Sequence, residues 1–306
     1  MHPETHLIWS KSLHWERYFR PQSISEALTL LEEFKGEARI IAGGTDLIPQ
    51  IRNREKESRV LVDITHIAGL KEIKLEKGLI KIGALVTHSQ IVDSSFIEEK
   101  ALALKEGAQR LGSPQIRDLG TVVGNVVSGL PSADTTIPLL ALNGTVKVMN
   151  HQGEKFIPLT EFFIDTGVTA VDPTREIVTE ISFPPLSGEE ASISLRLARR
   201  KALALPILTV SIVLSADLKK KKFQYGRIAL GPVAPVPFRA KEAENLFASA
   251  TIYDKTIKKI AQKAAEESNP RDSTLRGSGE YRKEMVANLV ERGIRKGIER
   301  LEVKHA

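Results

Sequence analysis

The sequence predicts an α+β fold, in which a region of two subdomains precedes a C-terminal antiparallel sheet with a helical bundle. A helical pattern flanked by short strand-like runs comes first, strand-like hairpins follow, and amphipathic helical patterns close the chain. With 306 residues, of which 42% are hydrophobic, the chain can bury one large core or two to three smaller ones. We predict domains 1–185 and 186–306, with subdomains of about 1–64 and 65–185 in the first.

The first subdomain is predicted to be a small parallel βαβ unit. Its first helix begins at a capping box in residues 23–26 and ends near residue 34, between strand-like residues 15–19 and 39–42. A helix starting near Asp46 and a strand at 60–64 complete the unit.

The second subdomain is predicted to contain a mixed or antiparallel sheet. Hairpins are expected within 73–82 and around the turn at 150–153, and a strand at 176–183 precedes Pro184-Pro185, where we place the boundary. After it, strands at 195–197, 206–216 and 224–230 and helical patterns at 241–250, 254–267 and 279–301 form the C-terminal part. The lysines at 219–222 are interpreted as a solvated hairpin tip.

Two glycine-bearing loops are the most informative feature of the sequence. Residues 42–46 read Ala-Gly-Gly-Thr-Asp after a buried strand, and residues 120–125 read Gly-Thr-Val-Val-Gly-Asn. Backbone amides and hydroxyls in such loops suit a diphosphate. Either loop alone is more often just a tight turn, and only the pair of loops together favours a binding site. Neither matches the Rossmann or P-loop signature. Asp134 has two interpretations, a helix N-cap or an acceptor for ligand hydroxyls, and the spacing alone favours the cap.

These residues resemble a known family. Residues 40–47, 116–125 and 132–134 are similar to the FAD-binding signatures of the flavoprotein subunits of molybdenum hydroxylases, which include carbon monoxide, nicotinate and xanthine dehydrogenases. The resemblance resumes at 199–204, 231–240 and 272–285, so it covers nearly the whole chain. It implies FAD on this chain, bound by the two-subdomain region 1–185. It also implies a small [2Fe–2S] subunit and a large molybdenum-pterin subunit as partners, in a dimer of heterotrimers.

The resemblance also implies the residues that contact FAD. The expected set is Ile40, Ile41, Ala42, Gly43, Gly44, Thr45, Asp46, Leu47, Leu111, Thr121, Val122, Val123, Gly124, Asn125, Asp134, Val178 and Arg196. Val123 stands where the family usually has glycine, and we predict that it has a negative φ. Arg196 stands where several members have lysine, which keeps the cation but changes its geometry. The flavin carries the redox chemistry, so no catalytic side chain is expected.

Composition narrows the possible functions. The chain has no cysteine, so any iron–sulfur cluster must lie on a partner, and the seven histidines show no metal-ligand spacing. The net charge is +6, but aromatic residues make up only 5% and none interleave with the basic residues, which argues against nucleic-acid binding. No apolar run is long enough to span a membrane and the start does not resemble a signal peptide, so we expect a cytoplasmic protein.

Three functions stay open from the sequence. The first is the flavin subunit of a molybdenum hydroxylase, which passes electrons from partner [2Fe–2S] clusters to an external acceptor. The second is a stand-alone flavoenzyme, although no substrate-facing acid or base is evident. The third is an assembly subunit that has lost FAD, for which Val123 is the only hint. The organic substrate stays open, and the acceptor could be NAD, ferredoxin, a quinone or oxygen.

Overall fold

A three-stranded parallel sheet forms the first subdomain. The computed structural model describes residues 15–200, 203–248 and 250–305, so the first fourteen residues of the predicted subdomain lie outside the described part. The elements are β1 (Arg17–Phe19), α1 (Ile24–Glu33), β2 (Ala38–Ile41), α2 (Leu47–Arg52) and β3 (Val60–Asp63). The strand order is β1-β3-β2, with β3 parallel to both neighbours. The predicted parallel βαβ unit is confirmed.

The N-terminal cap and the apolar face of α1 explain why it forms. The Ser23 side chain accepts a hydrogen bond from the Glu26 amide at 3.2 Å, which satisfies one of the free donors of the first turn. Ala27, Leu28, Leu30 and Leu31 recur on one face and are buried, so α1 packs against the sheet.

A five-stranded antiparallel sheet forms the second subdomain. Its strands are β4 (Ile73–Glu76), β5 (Leu79–Gly83), β6 (Thr145–Asn150), β7 (Gly153–Pro158) and β10 (Ile177–Phe183), in the order β4-β5-β10-β6-β7. Lys77 and Gly78 both have positive φ in the β4–β5 turn, as a tight hairpin requires. Both predicted hairpins are confirmed.

Short elements connect these strands. They are α3 (His88–Asp93), α4 (Ser95–Lys100), α5 (Leu102–Arg110), α6 (Pro114–Leu119), α7 (Val122–Val127), α8 (Thr136–Ala141), α9 (Leu159–Phe162), and the small hairpin β8 (Phe163–Asp165) and β9 (Val168–Thr169). The prediction of a loop at 120–125 is therefore wrong, since most of it is α7. Val122, Val123 and Val126 are buried, and this packing overrides the weak helix propensity of valine.

The C-terminal part is a four-stranded antiparallel sheet covered by helices. It contains β11 (Glu190–Ala198), β12 (Pro206–Asp217), β13 (Lys222–Gly231), β14 (Phe238–Arg239), α10 (Lys241–Asn245), α11 (Asp254–Glu267) and α12 (Gly279–His305), with the strands in sequence order. The basic turn joins β12 to β13, as predicted. The helix predicted at 241–250 ends earlier, at Asn245, and residue 249 of that prediction lies outside the described residues.

Both faces of this sheet are covered. On β12, Val210, Ile212 and Leu214 belong to the core shared with α11 and α12, whereas Val213 belongs to the core of the first region. Alternate side chains of a strand point to opposite faces. Helices α5 and α8 pack on the second face, so the sheet joins the two regions.

No helix in the described ranges is long and apolar enough to cross a bilayer.

Candidate functional site

A cavity of about 560 Å³ lies between the parallel sheet and the elements that follow it. Its walls come from β2 and the loop after it, from α6 and α7, from the segment before α8 and from the start of β10. This volume is typical of sites for small molecules and cofactors. The cavity lies at the carboxyl end of β2, where parallel sheets usually bind ligands.

The cavity gathers most of the residues expected to contact FAD. It is lined by Ile40, Ile41, Ala42, Gly43, Gly44, Thr45, Asp46, Leu47, Leu111, Thr121, Val123, Gly124, Asn125, Asp134 and Val178. Two expected residues are not in the lining. Val122 is fully buried in the core below it, and Arg196 lies behind Asp134.

The loop after β2 exposes a run of backbone donors. Within the described part of the chain, the amides of residues 43–46 have no hydrogen-bond acceptor. Gly44 has a φ of +67°, a conformation that glycine adopts without a Cβ clash. Buried or half-buried amides are normally paired, so these donors are suited to an anionic ligand.

The two glycine-bearing segments touch each other. A Cβ added to Gly43 would lie 2.0 Å from the carbonyl oxygen of Leu119, and a Cβ added to Gly120 would lie 3.4 Å from the Thr45 hydroxyl oxygen. Their backbones therefore form one continuous wall. Larger residues at Gly43 would push the segments apart.

The second segment is organised by side-chain caps. The Thr121 hydroxyl oxygen accepts from the Gly124 amide at 3.0 Å, which leaves its own O–H free to donate. The Asn125 side-chain oxygen accepts from the Thr135 hydroxyl at 2.7 Å and so fixes the segment before α8. Val123 is helical with negative φ, as predicted, and is 4% exposed.

Asp134 is a buried acid in the cavity wall and not a helix cap. Helix α8 begins two residues later, and the residue at its N-cap is Thr135. The capping interpretation of Asp134 is therefore wrong. Burial raises the pKa of Asp134 to about 6, against the opposing effect of Arg196 and Arg110. The Arg196 Nε lies 3.3 Å from the carboxylate Oδ1.

Sequence reasoning missed two polar residues of the cavity wall. His88 is the first residue of α3. It is 1% exposed, its Nδ1 has no partner in the described chain, and burial together with Arg117 lowers its pKa to about 4. Glu176 is buried and accepts hydrogen bonds from the Asp172 amide at 2.9 Å and from Lys155 at 2.6 Å. The strand pattern around Glu176 did not indicate that its side chain would be buried in the cavity wall.

The rim of the cavity includes part of the 199–204 motif. Leu203 and Ala204 of this motif and the adjacent Leu205 line the cavity, and the two leucines are 58% and 64% exposed. Lys201 and Ala202 of the motif lie outside the described residues.

The donors and walls present fit FAD. Free amides and the Thr45 and Thr121 hydroxyls suit a diphosphate, while Ile41, Val123 and Val178 provide apolar walls for ring systems. Across the described residues, no group of three or more His, Asp or Glu side chains is placed to hold a metal ion.

Comparison with known proteins agrees with this geometry. Residues 12–186 match the family described as FAD binding domain in molybdopterin dehydrogenase, and residues 193–296 match the CO dehydrogenase flavoprotein C-terminal domain. The xanthine dehydrogenase FAD-binding subunit of Escherichia coli O157:H7 is 29% identical over 92% of this chain and 95% of its own. The nicotinate dehydrogenase FAD-subunit of Eubacterium barkeri is 32% identical over 78% of this chain and 82% of its own.

A solved structure shares the fold. The match is to carbon monoxide dehydrogenase from Hydrogenophaga pseudoflava, with a TM-score of 0.89 and 26% identity over 94% of this chain and 98% of that one. The protein belongs to the FAD-binding subunits of the molybdenum hydroxylase family. It is therefore an oxidoreductase component with an FAD-binding domain.

Proposed function

We propose that this chain is the FAD subunit of a multi-subunit molybdenum hydroxylase. In this role it receives electrons from [2Fe–2S] clusters on a small partner subunit and delivers them to an external acceptor. Bound FAD supplies the redox chemistry, and the protein supplies binding, orientation and electrostatics. We further propose that a large molybdenum-pterin subunit oxidises the organic substrate, in a cytoplasmic dimer of heterotrimers.

One observation carries the assignment of the cofactor. The amides of residues 43–46 lack acceptors within the described chain and line the cavity beside the Thr45 hydroxyl. The anionic oxygens of a dinucleotide diphosphate accept hydrogen bonds from such amides more favourably than an uncharged ligand does. We assign the FAD-contacting role to the cavity-lining residues of the expected set, and we treat 1–185 and 186–306 as the two domains.

The partners follow from the chemistry of the chain and from its relatives. The sequence contains no cysteine, so the clusters that feed the flavin must be held by another polypeptide. One relative is named as the alpha subunit of a 6-hydroxypseudooxynicotine dehydrogenase complex, and another as the medium chain of a carbon monoxide dehydrogenase. These names support a three-subunit assembly for this chain.

Affinity purification from the native host tests the assembly. We expect a tagged chain to recover a [2Fe–2S] subunit and a molybdenum-containing subunit, and the complex to reduce a dye with an organic substrate. The chain purified alone should be yellow and inactive towards organic substrates. Full activity of the 306-residue chain alone would support the stand-alone enzyme instead.

A further inference from the structure

Two arginines of the C-terminal sheet cap helices of the first region. Arg196 on β11 donates from Nη1 to the carbonyl of Arg110, the last residue of α5, at 2.6 Å. Arg227 on β13 donates from Nε to the carbonyl of Ala141, the last residue of α8, at 2.8 Å. Cations are favourable at helix C-termini, where carbonyls lack partners inside the helix.

Each of these arginines also faces a carboxylate. The Arg196 Nε lies 3.3 Å from Asp134, and the Arg227 Nη2 lies 3.5 Å from Glu190. The two sites differ in one respect, because Asp134 lines the cavity and Glu190 does not. Arg196 itself is outside the cavity lining, and its side chain is only 6% exposed.

Arg196 is held more firmly than an ordinary ion-pair partner. Arg110, whose carbonyl it caps, reaches back with Nη1 to the carbonyl of Ser194 at 2.8 Å, two residues before Arg196 on β11. Helix α5 and strand β11 are therefore joined by two reciprocal arginine–carbonyl hydrogen bonds. The Arg196 Nε that faces Asp134 makes no hydrogen bond within the described residues, so the two side chains interact as a close ion pair. The hydrogen bonds between α5 and β11 fix the guanidinium beside the carboxylate, as a buried ion pair requires.

We propose that Arg196 is a positioning residue, which holds the Asp134 carboxylate at the cavity wall as an anionic acceptor for hydroxyl or N–H groups of FAD. This inference rests on the proposed function, since it concerns the same cavity. It differs from the expectation from the sequence, because Arg196 lies outside the cavity lining and acts through Asp134.

The proposal has a consequence for pH dependence. Burial raises the pKa of Asp134 to about 6, and the charges that face it are Arg196 on β11 and Arg110 on α5, both of which lower that pKa. Removal of the Arg196 charge therefore raises the pKa further, and Asp134 takes up a proton at a higher pH. The other titratable groups in the cavity wall are Arg39, Asp46, Lys56, His88 and Glu176.

The test is the FAD dissociation constant of the apo-protein as a function of pH, measured by fluorescence titration. In the wild type we expect affinity to fall as the pH drops through about 6. In Arg196→Met we expect the midpoint of this pH dependence to rise by about one unit or more, so that protonation of Asp134 alone weakens binding at pH 7 by about twofold or more. Arg196→Gln is a second neutral variant, and circular dichroism checks that each protein is folded.

Three further variants separate charge, position and general damage to the interface. Arg227→Met removes the equivalent helix cap away from the cavity and should leave the midpoint unchanged. Arg196→Lys keeps the charge, so its midpoint should stay near the wild type, while affinity at pH 8 falls several-fold because one amine cannot reach both partners. Asp134→Asn should remove the transition near pH 6, and a transition that persists there in this variant would overturn the proposal.

The proposal would be overturned if the pH midpoint of FAD binding were the same in the wild type, Arg196→Met and Arg196→Gln. It would also be overturned if Arg227→Met shifted this midpoint as much as Arg196→Met does. A wild-type protein that binds no FAD at any pH would instead contradict the proposed function.

Discussion

Gly43 lies directly against the backbone carbonyl of Leu119, so that a Cβ on Gly43 would be 2.0 Å from that oxygen. This approach joins the loop after β2 to the end of α6. It means that the close contact between these two segments of the cavity wall depends on the absence of a Cβ at Gly43. The requirement for glycine here is steric, since Gly43 is not among the residues with positive φ.

Gly43→Ala is therefore expected to push the two segments apart. We predict at least a hundredfold loss of FAD affinity and a loss of about 1–3 kcal/mol in the free energy of unfolding, as in other overpacked sites. Isothermal titration with FAD and urea unfolding measure the two effects. The matched control is Gly78→Ala, since Gly78 has a φ of +76° in an open hairpin turn outside the cavity lining. The control should lose about 1 kcal/mol of stability and keep its affinity; equal affinities in both variants would contradict the steric account.

Gly44→Val and Gly124→Val should each abolish stable FAD retention while the chain still folds. Valine at position 44 is strained by the φ of +67°, and a Cβ at Gly124 would lie 2.8 Å from the Thr121 hydroxyl oxygen that caps α7. The measurement is the flavin content beside the circular dichroism spectrum. Flavin retained in both variants would mean that these glycines serve only the local backbone.

Val123→Gly should change FAD affinity by less than about tenfold, or about 1.4 kcal/mol. Val123 already has the helical backbone that the segment needs, so glycine gains nothing there. The buried side chain is lost and a glycine enters a helix, so we expect a fall of about 2 kcal/mol in the free energy of unfolding. A hundredfold tighter binding by Val123→Gly would instead show that Val123 obstructs the site and would favour the subunit that has lost FAD.

His88 should make the apo-protein less stable in acid. Burial holds the pKa of His88 in the folded state near 4, below its ordinary value of 6.5, so the unfolded chain binds more protons between these two pH values. The stabilising contribution is present above pH 6.5 and is lost as the pH falls towards 4, by up to about 3 kcal/mol. The pKa of Asp134 is raised, so its contribution to the free energy of unfolding increases as the pH falls. This opposes the contribution of His88, and the pH dependence of the wild type alone therefore does not isolate His88.

The difference between the wild type and His88→Gln isolates this contribution. Urea unfolding of both proteins at pH 7 and pH 4.5 should show the wild type losing more stability on acidification than the variant. Parallel losses in the two proteins would mean that His88 is not held neutral by its surroundings.

Elements with strong local signals were predictable from the sequence. The Ser23 cap before α1 and the turn residues of the hairpin with Gly78 are local signals, and α11 has a regular apolar face. Helix α7 was not predictable, because valine-rich residues favour a helix only once Val122 and Val126 are buried by the rest of the fold.

The sequence predicted those residues of the site that lie together in short motifs. The loop after β2 and residues 121–125 are contiguous in sequence, and they do meet at one cavity. The role of Arg196 was not predictable, because it depends on its approach to Asp134, 62 positions earlier, and to the carbonyl of Arg110. Glu176 and His88 reach the cavity wall for the same reason, through packing of distant elements.

The flavin content of the purified chain tests the central claim most directly. The protein is expressed alone, the bound cofactor is released by denaturation, and FAD is separated from FMN and quantified against protein, before and after incubation with FAD. The account predicts FAD at a stoichiometry of about one per chain, with Gly43→Ala nearly empty under the same conditions and Gly78→Ala filled. A folded wild-type chain that stays colourless after incubation with FAD would contradict it.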